Sequence, residues 1–263
     1  MTRLTDLLAT TSTNTPIEVP ANWLQGRTAY GGLSAALALQ TAMNQANMEG
    51  NSELSALKAA HISFIAPMAG ALSFKTELLR QGKSVTSLSV DGFAGGQLGL
   101  RAAFIFAQSR TSNITHQLAP MPAVQPPTSY AAVSPKPGAP AFLSNFDVCY
   151  LNGVTPVCGA TMPEFLAWVR FSYPVADVHP AVALLAMGDC LAPAAMACFN
   201  EFAPASSMNW TVHFPLPAQP GDWFLLQSKG VSSAQGYSYQ TMQAWNEQGE
   251  PVLLGSQTVA VFA

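Results

Sequence analysis

Two stretches of the chain are apolar almost without interruption, and most of the remainder alternates. The first, residues 33–43 (LSAALALQTAM), is rich in Ala and Leu and predicts a helix buried on every side. The second, residues 179–199 (HPAVALLAMGDCLAPAAMACF), predicts another. Val182, Leu185, Ala186 and Leu191 share helical spacing, and Pro180 suits a first turn. Pro193 disfavours helical geometry at Ala192, so this helix should end near Cys190 or Leu191. Polar residues 44–52 should end the first helix. Four strand-like runs follow it, at 59–65, 71–79, 84–93 and 98–107, with Gly and polar breaks between them as in an antiparallel meander. Residues 141–151 and 164–172 read as strands ahead of the second helix. Four more runs follow that helix, at 206–214, 223–228, 236–245 and 251–262.

The order helix then four strands therefore occurs twice. A local echo supports a duplication: HISFIAPMAG (61–70) against TVHFPLPAQPG (211–221) sets Phe64 with Phe214 and Pro67 with Pro217 at an offset of 150. The ends match as FIFA (104–107) against VAVFA (259–263). Between the halves, seven prolines from Pro120 to Pro140 sit among Ser, Thr and Ala, which predicts an extended linker lying over the surface. The expected organisation is a unit at 1–109, a linker at 110–140 and a second unit at 141–263. A helix that is apolar all round must be covered on nearly every side, and a sheet wrapped around it does that.

Charged residues make up only 10% of the 263, against about 25% in an average soluble protein. So little charge implies extensive buried surface and makes a homo-oligomer, dimer or higher, the expected state. The formal net charge of -3 speaks against a nucleic-acid partner, which needs a basic face. The first fifteen residues lack the apolar core and cleavage site of a secretory signal. Gly188, Asp189 and Pro193 interrupt the longest apolar run, so no membrane span is expected. Cys149, Cys158, Cys190 and Cys198 show no metal-like spacing and read as buried thiols of a cytoplasmic protein. Nothing calls for a metal or cofactor. There is no GxSxG elbow, no GxxxxGK[ST] and no HExxH, and the glycine-rich 92–99 lies between strands, as a turn.

Asp189 is the anomaly in this pattern. A carboxylate inside so apolar a segment either points outward or is held for chemistry. Burial and the negative end of its own helix would both raise its pKa, which suits a general base.

The chain resembles the acyl-CoA thioesterase II family of double-hotdog hydrolases over nearly its whole length. The resemblance rests on QGRTAYGG (25–32), His61, Phe64 and Pro67, LLRQGKS (78–84), Gly188-Asp189, SMNWTVHFPLP (207–217), Trp223 and Ser256-Gln257. It implies an α+β fold, a double hotdog with two repeats of a central helix wrapped by an antiparallel β-sheet. It also implies hydrolysis of an acyl-CoA to free fatty acid and CoA, a step of lipid metabolism. Asp189 matches the family's acid and Gln257 its amide. Ser207, or the neighbouring Ser206, matches a hydroxyl that is often Thr; together they would hold and activate a water. Tyr30, Gly31, Gly32 and His61 would meet the substrate, with the two glycines at the acyl carbonyl or oxyanion. Arg27, Arg80, Lys83 and Arg170 are the cations available for CoA phosphates. By offset Asp189 corresponds to Leu39, and by the end-match Gln257 corresponds to Arg101, which predicts one site per chain. Two other readings keep the fold. A hotdog hydratase or dehydratase would need His61 or His213 within reach of Asp189, and a non-catalytic acyl-thioester-binding protein would bind without cleaving.

Overall fold

The computed structural model describes residues 1–11, 16–48, 54–135, 138–219 and 221–263. A short helix α1 (Leu4–Ala9) opens the chain, followed by the brief strands β1 (Ile17–Glu18), β2 (Leu24–Gln25) and β3 (Thr28–Ala29). Helix α2 (Gly31–Met48) comes next. It is longer than its apolar core, because Asn44 accepts from the Gln40 amide and donates to the Thr11 carbonyl instead of breaking the turn. Strands β4 (Leu57–Phe64), β5 (Ala71–Gln81), β6 (Val85–Ala94) and β7 (Gln97–Ala107) complete the first half. The second half has β8 (Phe146–Tyr150), β9 (Glu164–Phe171), α3 (Pro180–Gly188), β10 (Ala205–His213), β11 (Phe224–Ala234), β12 (Tyr237–Asn246) and β13 (Pro251–Val261). Residues 141–145, expected as strand, form a 3-10 turn, as does Ala194–Cys198 after α3.

Among the described residues, eleven strands form one sheet in the order β1-β5-β6-β7-β4-β10-β13-β12-β11-β9-β8. In each half the last three strands are a meander, while the strand after the helix lies on the inner side and joins the halves. That seam is the antiparallel pair β4·β10, in which His61 stands opposite Thr211, two residues related by the offset of 150. The duplication is written in the sheet's irregularities. Lys58 and Met208 are extra residues at matching places in β4 and β10. Leu79 and Val231 match in the same way, and so do Gly99 and Val252. A bulge is a specific local feature, and three in register are not coincidence.

The register also corrects one correspondence. Ala60 pairs with Phe104 and its counterpart Trp210 pairs with Gln257, so Gln257 matches Phe104 and not Arg101. Gln257 and Phe104 both point inward and are buried. Arg101 points outward into an ion pair with Asp91 at 2.6 Å.

The inner face carries α2 and α3, packed on each other. Residues Leu33 and Ala35 to Leu39 are completely buried, and the buried hydroxyls of Ser34 and Thr41 bond back to the carbonyls of Tyr30 and Leu37. The Pro-rich segment between the halves runs as a strap over the outer face of the second half. Trp168 and Trp245 donate their indole N–H groups to the carbonyls of Gln125 and Ala119, at 3.0 and 2.8 Å. All four cysteines are free; Cys149 and Cys190 are buried, whereas Cys158 is exposed. Among the described residues no helix is long and apolar enough to cross a membrane.

Candidate active site

Helix α3 ends at Gly188 and Asp189 forms its C-cap, facing the first turn of α2. That approach depends on two glycines. A Cβ on Gly31 would lie 2.6 Å from Asp189 Oδ2, and one on Gly32 would lie 2.5 Å from the Ala186 carbonyl. Tyr30 ties the same two helices, its hydroxyl donating to Ala186 O at 2.9 Å while its ring stacks on Phe142.

The Asp189 carboxylate accepts from the Gln257 amide, Nε2 to Oδ1 at 2.6 Å, and from the Gly32 N–H. Gln257 Oε1 accepts from the Ser207 hydroxyl at 3.2 Å and from Gln240 Nε2 at 3.1 Å. Gln240 Oε1 in turn accepts from the Ala194 N–H at 2.7 Å. Gln240 and Gln257 are buried, and Asp189 and Ser207 keep part of their surface open. Burial pushes the Asp189 carboxyl from the ordinary carboxylate range up to about 7, and the bonds from Gln257 and Gly32 pull it partly back. The α2 N-terminus thus opposes the effect expected of α3's own dipole, and burial is what raises the value.

The bulge at Met208 decides which serine joins. Strict alternation from the buried Trp210 and Val212 would turn 208 and 206 inward; the extra residue shifts the inward place to Ser207 and leaves Ser206 exposed. Gln240 was not foreseen, although Met242 and Ala244 point inward on the alternating β12 and so place Gln240 and Ser238 inward too.

The structure brings Asp189, Gln257, Ser207, Gly31 and Gly32 together. It does not bring His61, which projects from the outer face beside His213, their rings 6.4 Å apart. Neither histidine bonds Asp189, so the condition for a hydratase is not met. The Tyr30 ring is enclosed. Arg170 is engaged by Asp147 and Asp222 and lies over Trp223, whereas Arg27, Arg80 and Lys83 are exposed. His179 caps α3, its Nδ1 accepting from the Ala181 N–H. A cavity of about 400 Å³ lies along another flank of α3, walled by Phe171, Val175, Ala183, Leu184, Met187 and Phe224. None of the polar site residues lines it.

Family models for the acyl-CoA thioesterase N-terminal domain and C-terminal domain match residues 19–107 and 116–261. The chain belongs to the acyl-CoA thioesterase family. This thioesterase is therefore a thioester hydrolase, and its fold is the double hotdog. Solved structures agree on the fold. A hot dog fold protein of Alicyclobacillus acidocaldarius matches at TM-score 0.86 and 21% identity, over 100% of the thioesterase and 99% of that chain. The tesB protein of Mycobacterium avium subsp. paratuberculosis matches at 0.76 and 19%, over 99% and 100%. The acyl-CoA thioesterase II TesB2 of Mycobacterium marinum matches at 0.73 and 18%, over 94% and 93%. No curated protein sequence matches the thioesterase.

Proposed function

We propose that this thioesterase hydrolyses acyl-CoA by a water that Asp189 activates. The observation that carries the reading is a carboxylate set against the first turn of α2, partly open to solvent and held by the Gln257 amide and the Gly32 N–H, with burial raising it to about 7. Such a group is ionised often enough near neutral pH to act and basic enough to take a proton from water. Ser207 donates its proton to Gln257, so its lone pairs are free to accept from that water. Gln257 has its carbonyl occupied by two donors, so its part is to orient and stabilise the Asp189 carboxylate and not to accept from the water. The acyl carbonyl sits beside Gly31, at the positive end of α2, where negative charge developing on its oxygen is favoured. Phe64 walls that place from the first half. One unit at 1–109 supplies the glycines and this wall, and the other, at 141–263, supplies the acid, amide and hydroxyl. Scarcity of charge supports a homo-oligomer, and four free cysteines support a reducing, cytoplasmic setting.

Thiol release from acetyl-, octanoyl- and palmitoyl-CoA tests the reading and ranks chain length. The wild type should show an acid limb near pH 7, and Asp189→Asn should lose about 10²–10⁴-fold in turnover while keeping its fold. Wild-type activity in that variant would remove Asp189 from the mechanism.

A further inference from the structure

Gln240 touches no group that meets substrate, yet it sets the direction of the bond that Gln257 makes to Asp189. We propose that Gln240 is a positioning residue: anchored by the Ala194 N–H, it forces the Gln257 amide to present its N–H, and not its carbonyl, to Asp189. The proposal rests on Asp189 acting as the base.

The polarity follows from one fixed donor. A backbone N–H can only donate, so the Gln240 atom 2.7 Å from Ala194 N is Oε1. The other end of that amide, Nε2, then faces Gln257 at 3.1 Å and must meet an oxygen. Ser207 converges on the same oxygen. What remains of Gln257 is Nε2, which lies against Asp189 Oδ1 at 2.6 Å. Turning either amide would set two oxygens or two donors face to face. With Gln240 and Gln257 only 1% and 2% exposed, water is not there to relieve the mismatch.

The sheet itself does not need these amides. Gln240 pairs with Gln257 on β12·β13, and the matching pair on β6·β7 is Leu88 with Phe104. Carbon fills the place in one half, and a directed relay fills it in the other. Asp189 acts electrostatically on two titratable groups, Tyr30 at the head of α2 and Cys190 next in the chain. Burial raises both, so they stay neutral around pH 7 and an acid limb there belongs to Asp189.

The test is Gln240→Leu, read in two ways. Carboxyl ¹³C NMR of aspartate-labelled protein follows the Asp189 titration without substrate, and thiol release from octanoyl-CoA gives the pH–rate profile. Without Gln240 the Gln257 amide can turn its carbonyl toward Asp189, which favours the neutral acid. Asp189 should then titrate about half a pH unit or more higher, with the acid limb moving the same way. At pH 7 kcat should fall about tenfold, with KM within about twofold of wild type. Gln240→Glu is the companion: its neutral acid keeps a carbonyl for Ala194 and an O–H for Gln257. It should match wild type while protonated and lose activity as it ionises, adding an alkaline fall. Unchanged Asp189 titration in folded Gln240→Leu overturns the proposal. So does a loss of kcat with the limb unmoved, which would leave Gln240 a packing residue. If Gln240→Leu does not fold, a Gln240→Glu profile without the alkaline fall overturns it. Because the NMR titration needs no substrate, absence of acyl-CoA cleavage would sink the functional reading separately.

Discussion

The two halves share a frame down to three matched bulges, and their sheets differ at three inward places. Where the second half has Ser207, Gln240 and Gln257, the first has the buried Leu57, Leu88 and Phe104. The same backbone thus supports either a dry apolar core or a hydrogen-bonded relay ending in a carboxylate. On the proposed reading, chemistry resides in side-chain identity at places the fold would fill with carbon.

Moving residues toward the other half's identity should break this contrast in graded steps. Gln257→Leu takes the side-chain donor from Asp189, whose pKa should rise further. Turnover at pH 7 should fall about 10²–10³-fold, with the acid limb of the pH–rate profile displaced to higher pH. The reverse change, Phe104→Gln, puts an unpartnered amide into a core that lacks Asp189's counterpart. Denaturant melts should show a loss of about 3–4 kcal/mol with little direct effect on chemistry.

Asp189 itself should cost stability. Its folded pKa, about 7, lies above the ordinary carboxylate value, so the fold binds its proton more tightly than the unfolded chain does. The stability this contributes is complete below the unfolded pKa and is lost as pH rises through about 7. Asp189→Asn should accordingly be more stable than wild type at pH 8, by about 1–4 kcal/mol, with the gap closing toward pH 4. A gap that does not change with pH would mean that Asp189 carries no such penalty. At the small end, Ser207→Ala should lower kcat about tenfold, the rate equivalent of one hydrogen bond, while Ser206→Ala leaves it unchanged.

Much of this contrast was legible in the sequence, and what was not has physical causes. The two apolar helices, the duplicated order of strands and Asp189 follow from periodicity and from one charge in the wrong company. Choosing between Ser206 and Ser207 was beyond pattern alone, because the bulge at Met208 shifts alternation by one residue and leaves no compositional mark. The end-match that paired Gln257 with Arg101 failed for a different reason: it aligned the closing Phe-Ala of each half, about three residues out of the register in which Gln257 stands with Phe104. Gln240 was visible only to a reading that asked which polar residues alternate onto an apolar face. The glycine pair looked like an oxyanion site. What the structure shows of it is a steric task, letting one helix end come within bonding distance of the other, which no local sequence states.

The β4·β10 seam has a consequence for how the enzyme behaves on dilution. Gly31 and Gly32 come from one repeat and Asp189 from the other, so the site exists only while the two are docked. Two separate single-repeat chains joined by that ladder would come apart by mass action as they were diluted, and their site with them. Joined in one chain, each repeat sees its mate at an effective concentration that dilution does not change. Specific activity at the scale of one chain should therefore be independent of enzyme concentration.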